Sequence, residues 1–385
     1  MLSPSKKGKL FVKCCEIQES KMKEDKVVVM GGGAGAHAEA FELARKGLRV
    51  NMCEAPDLKK SFGATLAGEI KATGIMEGVA KLNLATTDFQ EAMRGIKTIF
   101  IAVPSFAHRI FASYCAPYLE DGQIIVITPG TCGSLVFAKE LRERGIKKDI
   151  TIAETVTLPY GARIQGPAHV GIFVKTVNNP VGVFPAKRTN EVVHYLRQFY
   201  PEFTPLSNVL EAGLNSTNPV VHPPATLLNV GRFEYATEFW LYKEGMGPSS
   251  VKLMGTLMNE RAKIGKAFGF NLETGDPLMK RGKEALREFF AGVFGDNSFE
   301  VGYLMKGPLS LEDRYVTEDV PYGLVLWESL ADMVKLKVPT ITAVIEIFSA
   351  ISGVDFRKHG RTAEELGLSR LSLPQITEFL YEGYR

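Results

Sequence analysis

The segment that most restricts the fold of this 385-residue chain is Gly31-Gly32-Gly33-Ala34-Gly35-Ala36. It follows an apolar run, Lys26–Met30, and opens a stretch of helical periodicity over about residues 35–46. Strand, glycine turn and helix in that order form the phosphate-binding turn of a dinucleotide-binding βαβ unit. In the pattern G-x-G-x-x-A, Gly31 allows the tight turn and Gly33 lets the backbone approach a pyrophosphate. Gly32 and Gly35 belong to the same cofactor-binding turn, and Ala36 packs helix on sheet. The helix N-terminus would face the phosphates. A second strand, residues 48–53, ends at Glu54, about 20 residues after the turn, where an acid takes the ribose hydroxyls of NAD. That carboxylate would repel the 2′-phosphate of NADP, although Lys59 and Lys60 nearby could soften the repulsion.

The alternation continues. Thr98–Val103, Gln123–Thr128 and Asp149–Glu154 read as further strands, with helix-like segments near Ala107–Leu119 and Leu135–Arg144. Fully apolar strands alternating with helices imply a parallel sheet covered on both faces. Residues 160–186 look like short extra strands, including an antiparallel edge. Past Pro201–Pro205 strand-like runs are scarce, and helical periodicity dominates, as over Val251–Phe268 and Pro277–Phe290. The reading is α/β: a Rossmann-type doubly wound domain over 26–205 and an all-α domain over 206–385. Residues 1–25 stand as an extension, with Met22 an alternative start.

Composition removes several classes of function. The net charge is +3, and residues 1–26, with seven Lys and four acids, account for all of it. No basic face remains to meet a nucleic acid. The five cysteines (14, 15, 53, 115 and 132) are odd in number and lack metal-site spacing, which argues against a disulfide framework or a zinc site. The most apolar stretch, residues 340–354, is interrupted by Glu346, so no membrane span is expected. The N-terminus lacks an apolar signal core, and a cytoplasmic setting is the expectation.

Hydride chemistry on a carbonyl or imine needs a group that moves protons near neutral pH, which suits histidine. Of the six, His222 has the most distinctive setting: Leu214-Asn-Ser-Thr-Asn218-Pro-Val-Val-His222-Pro-Pro. Asn218 and His222 are one helical turn apart and would share a face. Pro219 suits the first turn of a helix starting at Asn218, and Pro223 and Pro224 would end or kink that helix. His37 and His108 read as packing or surface residues. A base histidine usually has an orienting partner, and Arg314-Tyr-Val-Thr-Glu318-Asp319-Val-Pro321 offers Asp319 or Glu318. Val103 and Pro104, after the fourth strand, sit where such sheets receive the nicotinamide. Thr128-Pro-Gly-Thr131 ends the next strand.

With these segments in view the chain resembles the opine dehydrogenases, the octopine/nopaline dehydrogenase family. The resemblance rests on residues 29–38, 214–223 and 314–323. It implies reductive condensation of an amino acid's amine with a 2-oxo acid such as pyruvate, or the reverse reaction, with NAD, or NADP, carrying the hydride. It implies His222 as acid/base bonded to Asp319, and Asn218 beside the substrate. Arg314 would face the cofactor phosphates or a substrate carboxylate, and Glu154 and Thr155 the amino acid. Thr131 stands where the family often has a glutamine, in contact with the oxo acid. The partners implied are small molecules, with a homodimer allowed. The alternatives are a simple 2-oxo or hydroxy-acid reductase of the same plan, or a dinucleotide-binding protein without catalysis.

Overall fold

The structure, a computed structural model, describes residues 25–384. The extension expected over 1–25 therefore lies outside the described residues except for Asp25. Among the described residues twelve strands build two sheets. The first seven are β1 (Lys26–Met30), β2 (Arg49–Cys53), β3 (Glu69–Gly74), β4 (Gly78–Lys81), β5 (Leu84–Thr86), β6 (Thr98–Ile101) and β7 (Ile124–Ile127). The others are β8 (Thr151–Thr155), β9 (Tyr160–Gly166), β10 (His169–Lys175), β11 (Asn179–Phe184) and β12 (Phe203–Pro205).

The main sheet has the order β12-β11-β8-β7-β6-β1-β2-β5. Its pairs from β5 to β8 are parallel, with Val27–Met30 in register with both Val50–Cys53 and Thr98–Ile101. β1, β6 and β7 are buried almost throughout, because helices cover both faces. Order reverses between β1 and β6, and it is at such a switch point that ligands settle beyond the carboxyl ends of the strands. β11 runs antiparallel to β8, but the antiparallel edge expected from the sequence lies one strand inside the sheet, because β12 pairs parallel outside β11.

The second sheet, order β4-β3-β10-β9, was only half legible. β9 and β10 come from the expected 160–186 region, but their partners β3 and β4 lie in a stretch that gave no reading. The signal was there: Ile70 and Ala72 are buried between exposed Glu69 and Lys71, a period of two over too few residues to stand out. This sheet packs on the helix Ala34–Arg45.

Beyond β12 the described chain is helical. The expected helix at 251–268 runs over Pro248–Ala267. The stretch expected as one helix at 277–290 is two, Asp276–Arg281 and Lys283–Phe294, because Gly282 turns the backbone to φ 58° between them. The helix of His222 also differs. It continues through Pro223 and Pro224 to Leu227, although each proline removes one i→i−4 bond. Eight of its ten residues are buried, and it packs against Pro248–Ala267 and Arg314–Thr317. Burial of that surface outweighs the two lost bonds, so the prolines do not break the helix. No helix among the described residues is long and apolar enough to cross a membrane.

Candidate active site

The glycine turn is built as its spacing requires. Gly31 has φ +116°, and a Cβ there would stand 2.5 Å from the carbonyl oxygen of Ala102, at the end of β6. A side chain is excluded both by conformation and by the neighbouring strand. Its N–H donates to the Cys53 carbonyl at 2.8 Å, tying the turn to β2. At Gly33 a Cβ would meet nothing within 4 Å, so the backbone lies open toward the cleft. Gly33 caps the helix Ala34–Arg45, and neither a side-chain cap nor an acid occupies its first turn. Its leading amides are thus available to an anion. Gly35 lies against Leu158, and Ala36 is fully buried under the helix.

Glu54, the residue after β2, has only 6% of its surface exposed. Its Oε1 accepts from the Ala55 N–H at 2.7 Å, and burial raises its pKa. A Cβ at Gly32 would come within 2.5 Å of its other oxygen, so the bare turn is also what admits this carboxylate. Open amides, an adjacent acid and the switch point together fit the pyrophosphate and ribose of a dinucleotide. Val103 and Pro104 line the same cleft on the far side of the turn.

The cleft has a volume of about 190 Å³ and is walled by both halves of the chain. His222 and Asn218, one turn apart, both line it. His222 Nδ1 lies 2.7 Å from Asp319 Oδ2, and Nε2 lies 3.0 Å from the Tyr242 hydroxyl. Tyr315 stacks on the imidazole at 3.8 Å between centroids and 22° between planes. Both members of the His–Asp pair are buried. Burial raises the Asp319 pKa, and His222 opposes that rise. A carboxylate accepts, so Nδ1 carries the proton and Nε2 is left to accept from Tyr242. Burial keeps the Tyr242 phenol far above its usual pKa, so it stays a donor. Nε2 is therefore the nitrogen that can exchange a proton with a ligand, by way of the Tyr242 hydroxyl.

Asp319 and Glu318, equal candidates in the sequence, have separate duties. Glu318 Oε1 accepts from the Ser105 N–H at 3.0 Å and from its hydroxyl at 3.1 Å, joining the helical half to the end of β6. Glu318 also pairs with Arg314 at 3.1 Å and holds that guanidinium above the ordinary arginine pKa. Arg314 lines the cleft and is half exposed to it.

Thr131, Glu154 and Thr155 are not brought into the cleft wall. Glu154 is fully buried and accepts from the N–H groups of Cys132 and Ser134 at 2.8 and 2.9 Å. It caps the helix Gly133–Glu143 and holds Thr131 and Cys132 in left-handed conformations, φ 48° and 61°. Thr155 donates to the Thr157 carbonyl. Thr131 is buried, and its carbonyl accepts from Arg361. His37 and His108 are buried, and burial lowers the pKa of each.

Sequence reasoning missed Tyr242, Arg163 and Arg361, which sit in no recognisable motif. Arg361 is buried, bridges Gly130 and Ser105 through their carbonyls, and so ties together the loops after β6 and β7. Tyr315 lies inside the segment 314–323, where its charged neighbours are the stronger signal.

Residues 205–352 match the family model for the NAD/NADP octopine/nopaline dehydrogenase alpha-helical domain. The opine dehydrogenase of Arthrobacter sp. (strain 1C) is 34% identical over 351 residues, covering 90% of this chain and 96% of that protein. Among solved structures, octopine dehydrogenase with NADH and L-arginine superposes with a TM-score of 0.67 at 18% identity, over 94% of this chain and 98% of that one. Yersinopine dehydrogenase with bound NADP+ gives 0.61 at 15% identity, over 93% and 98%.

Proposed function

The chain belongs to the octopine/nopaline dehydrogenase family, and from that premise we propose that it joins the amine of an amino acid to the carbonyl carbon of a 2-oxo acid, and runs the reverse reaction. The observation that carries the reading is His222, held between Asp319 and Tyr242 in a cleft that also contains the open glycine turn.

NAD(P)H, when bound, supplies the hydride that reduces the carbon–nitrogen double bond. Gly31–Ala36 and Glu54 would hold it, with Val103 and Pro104 at the nicotinamide side. The remaining work falls to this chain's own groups. The Tyr242 hydroxyl passes its proton to His222 Nε2 as it takes one from the substrate ammonium, freeing the lone pair that attacks the 2-oxo carbon. The imidazolium that results is stabilised by Asp319, and it returns the proton to the departing hydroxyl, which leaves as water. Across the whole reaction one further proton is taken from solvent as the secondary amine becomes an ammonium. Asn218, a turn away, orients the substrate with its carboxamide. Arg314 presents a guanidinium on the β6 side to the oxo acid or to the cofactor phosphates.

The wall beside Tyr242, made by Phe290, Phe294 and Met305, favours an apolar amino acid side chain. Glu318, an acid lining the cleft, is already engaged by Ser105 and Arg314 and offers no counterion to a basic one. The reading extends to a cytoplasmic setting, supported by three buried free thiols, Cys53, Cys115 and Cys132, and allows a homodimer. The experiment is a screen of NADH oxidation with pyruvate, glyoxylate and 2-oxoglutarate against a panel of amino acids. Oxidation should require both partners, and oxidation by an oxo acid alone at the same rate would replace this reading with a hydroxy-acid dehydrogenase.

A further inference from the structure

Arg163, on β9, is the second guanidinium that lines the cleft. Its Nη2 donates to the Tyr315 hydroxyl at 2.7 Å and its Nη1 to the Ala162 carbonyl at 3.0 Å. Both partners are neutral, and among the described residues no carboxylate is paired with it. Arg314 differs in having Glu318 at 3.1 Å. A half-buried guanidinium with neutral partners keeps a full charge and unused N–H donors. That arrangement is unfavourable unless an anion completes it.

Its position follows from Tyr315. That ring stacks on His222 while its hydroxyl holds Arg163, so the guanidinium is fixed about one phenol ring away from the proton-transferring imidazole. It lies on the side of the apolar wall: a Cβ at Gly161, its strand neighbour, would stand 3.6 Å from the sulfur of Met305. Arg314 and its Glu318–Ser105 link lie at the end of β6. Two carboxylates enter the condensation, one on each substrate, and two guanidiniums, Arg163 and Arg314, line the cleft.

We propose that Arg163 is the anchor for the carboxylate of the amino acid substrate, held in place by the Tyr315 hydroxyl so that the amine beside that carboxylate reaches His222. The assignment rests on the condensation reading above. It makes the enzyme select α-amino acids over the corresponding amines.

The test uses the full chain saturated with NADH and three pairs of probes: leucine and isopentylamine, phenylalanine and phenethylamine, arginine and agmatine. Binding is measured by titration calorimetry, and turnover with pyruvate is measured in parallel. A charge-assisted hydrogen bond is worth about 1.5–3 kcal/mol, or roughly 10- to 150-fold. The unaltered chain should bind the best amino acid that much more tightly than its amine. Arg163→Met should remove the preference by weakening the amino acid alone, leaving the Kd for NADH and the KM for pyruvate within twofold. Arg163→Lys should restore part of it. Equal weakening of acid and amine would reduce Arg163 to a structural support and overturn the proposal. A rise in the KM for pyruvate alone would give Arg163 to the oxo acid and overturn it as well. A preference that is bound but never turned over would sink the condensation reading while leaving the anchor in place.

Discussion

Replacing Asp319 by Asn tests the arrangement around the imidazole with the least disturbance of shape. The carboxylate lies 2.7 Å from His222 Nδ1, and both side chains are more than nine-tenths buried. Hydrogen bonds to a charged partner contribute about 1.5–3 kcal/mol, and each 1.4 kcal/mol is a factor of ten. Asn can still accept from Nδ1 but does not stabilise the imidazolium by charge. Turnover in Asp319→Asn should therefore fall by roughly 10- to 150-fold. The Kd for NADH should stay within twofold, since Asp319 touches no part of the glycine turn. The assay is kcat at saturating substrates, with NADH binding followed by fluorescence. A loss of turnover of less than twofold would refute the reasoning, because the carboxylate would then contribute nothing to proton transfer. A parallel loss of NADH affinity would also refute it.

Three further outcomes are expected. His222→Ala should lower kcat by about 10²- to 10⁴-fold with NADH binding nearly intact; an equal loss of both would assign the residue to folding or to the cofactor. Glu54→Gln should weaken NADH by roughly tenfold or more, as a charged acceptor for ribose is lost, while NADPH is weakened less; direct titration of both cofactors decides it. Glu39 is buried under Thr128 and Tyr200, and burial pushes its pKa from 4.5 to about 8. The folded chain then keeps a proton that the unfolded chain releases above 4.5, so this group makes stability fall as pH rises from about 4.5 to 8, by up to about 1.4 kcal/mol per pH unit. Glu39→Gln, a permanent mimic of the protonated acid, should flatten that dependence in urea titrations at pH 5 and pH 8. An unchanged slope would show that Glu39 titrates normally.

What could be read from the chain divides along physical lines. β1, β6 and β7 were legible because a strand buried on both faces needs an apolar run, whereas β2 and β8, which carry Asn51 and Glu154, were legible from their place in the alternation of strands and helices. The glycine turn was legible because Gly31 has no freedom to be anything else. β3 and β4 escaped because four to six half-buried residues leave too short an alternation. Pro223 and Pro224 do not end the helix, because local propensity is outweighed by its tertiary burial. At the site, His222 and Asp319 drew notice as titratable residues in unusual settings. Tyr242, Arg163 and Arg361 did not, since their importance comes from what the fold places beside them, more than 20 residues away in sequence for most partners. Glu154 looked like a cleft residue at a strand end, but its two oxygens are consumed by the backbone of the turn after β7.

The most direct check of the whole account is the identity of the product. A nitrogen-labelled amino acid, pyruvate and NADH are incubated with the enzyme, and the products are resolved by mass spectrometry. The account predicts a secondary amine dicarboxylate that retains the label, formed in step with NADH oxidation and abolished by His222→Ala. Lactate as the stoichiometric product, with the labelled amino acid recovered unchanged, would contradict it.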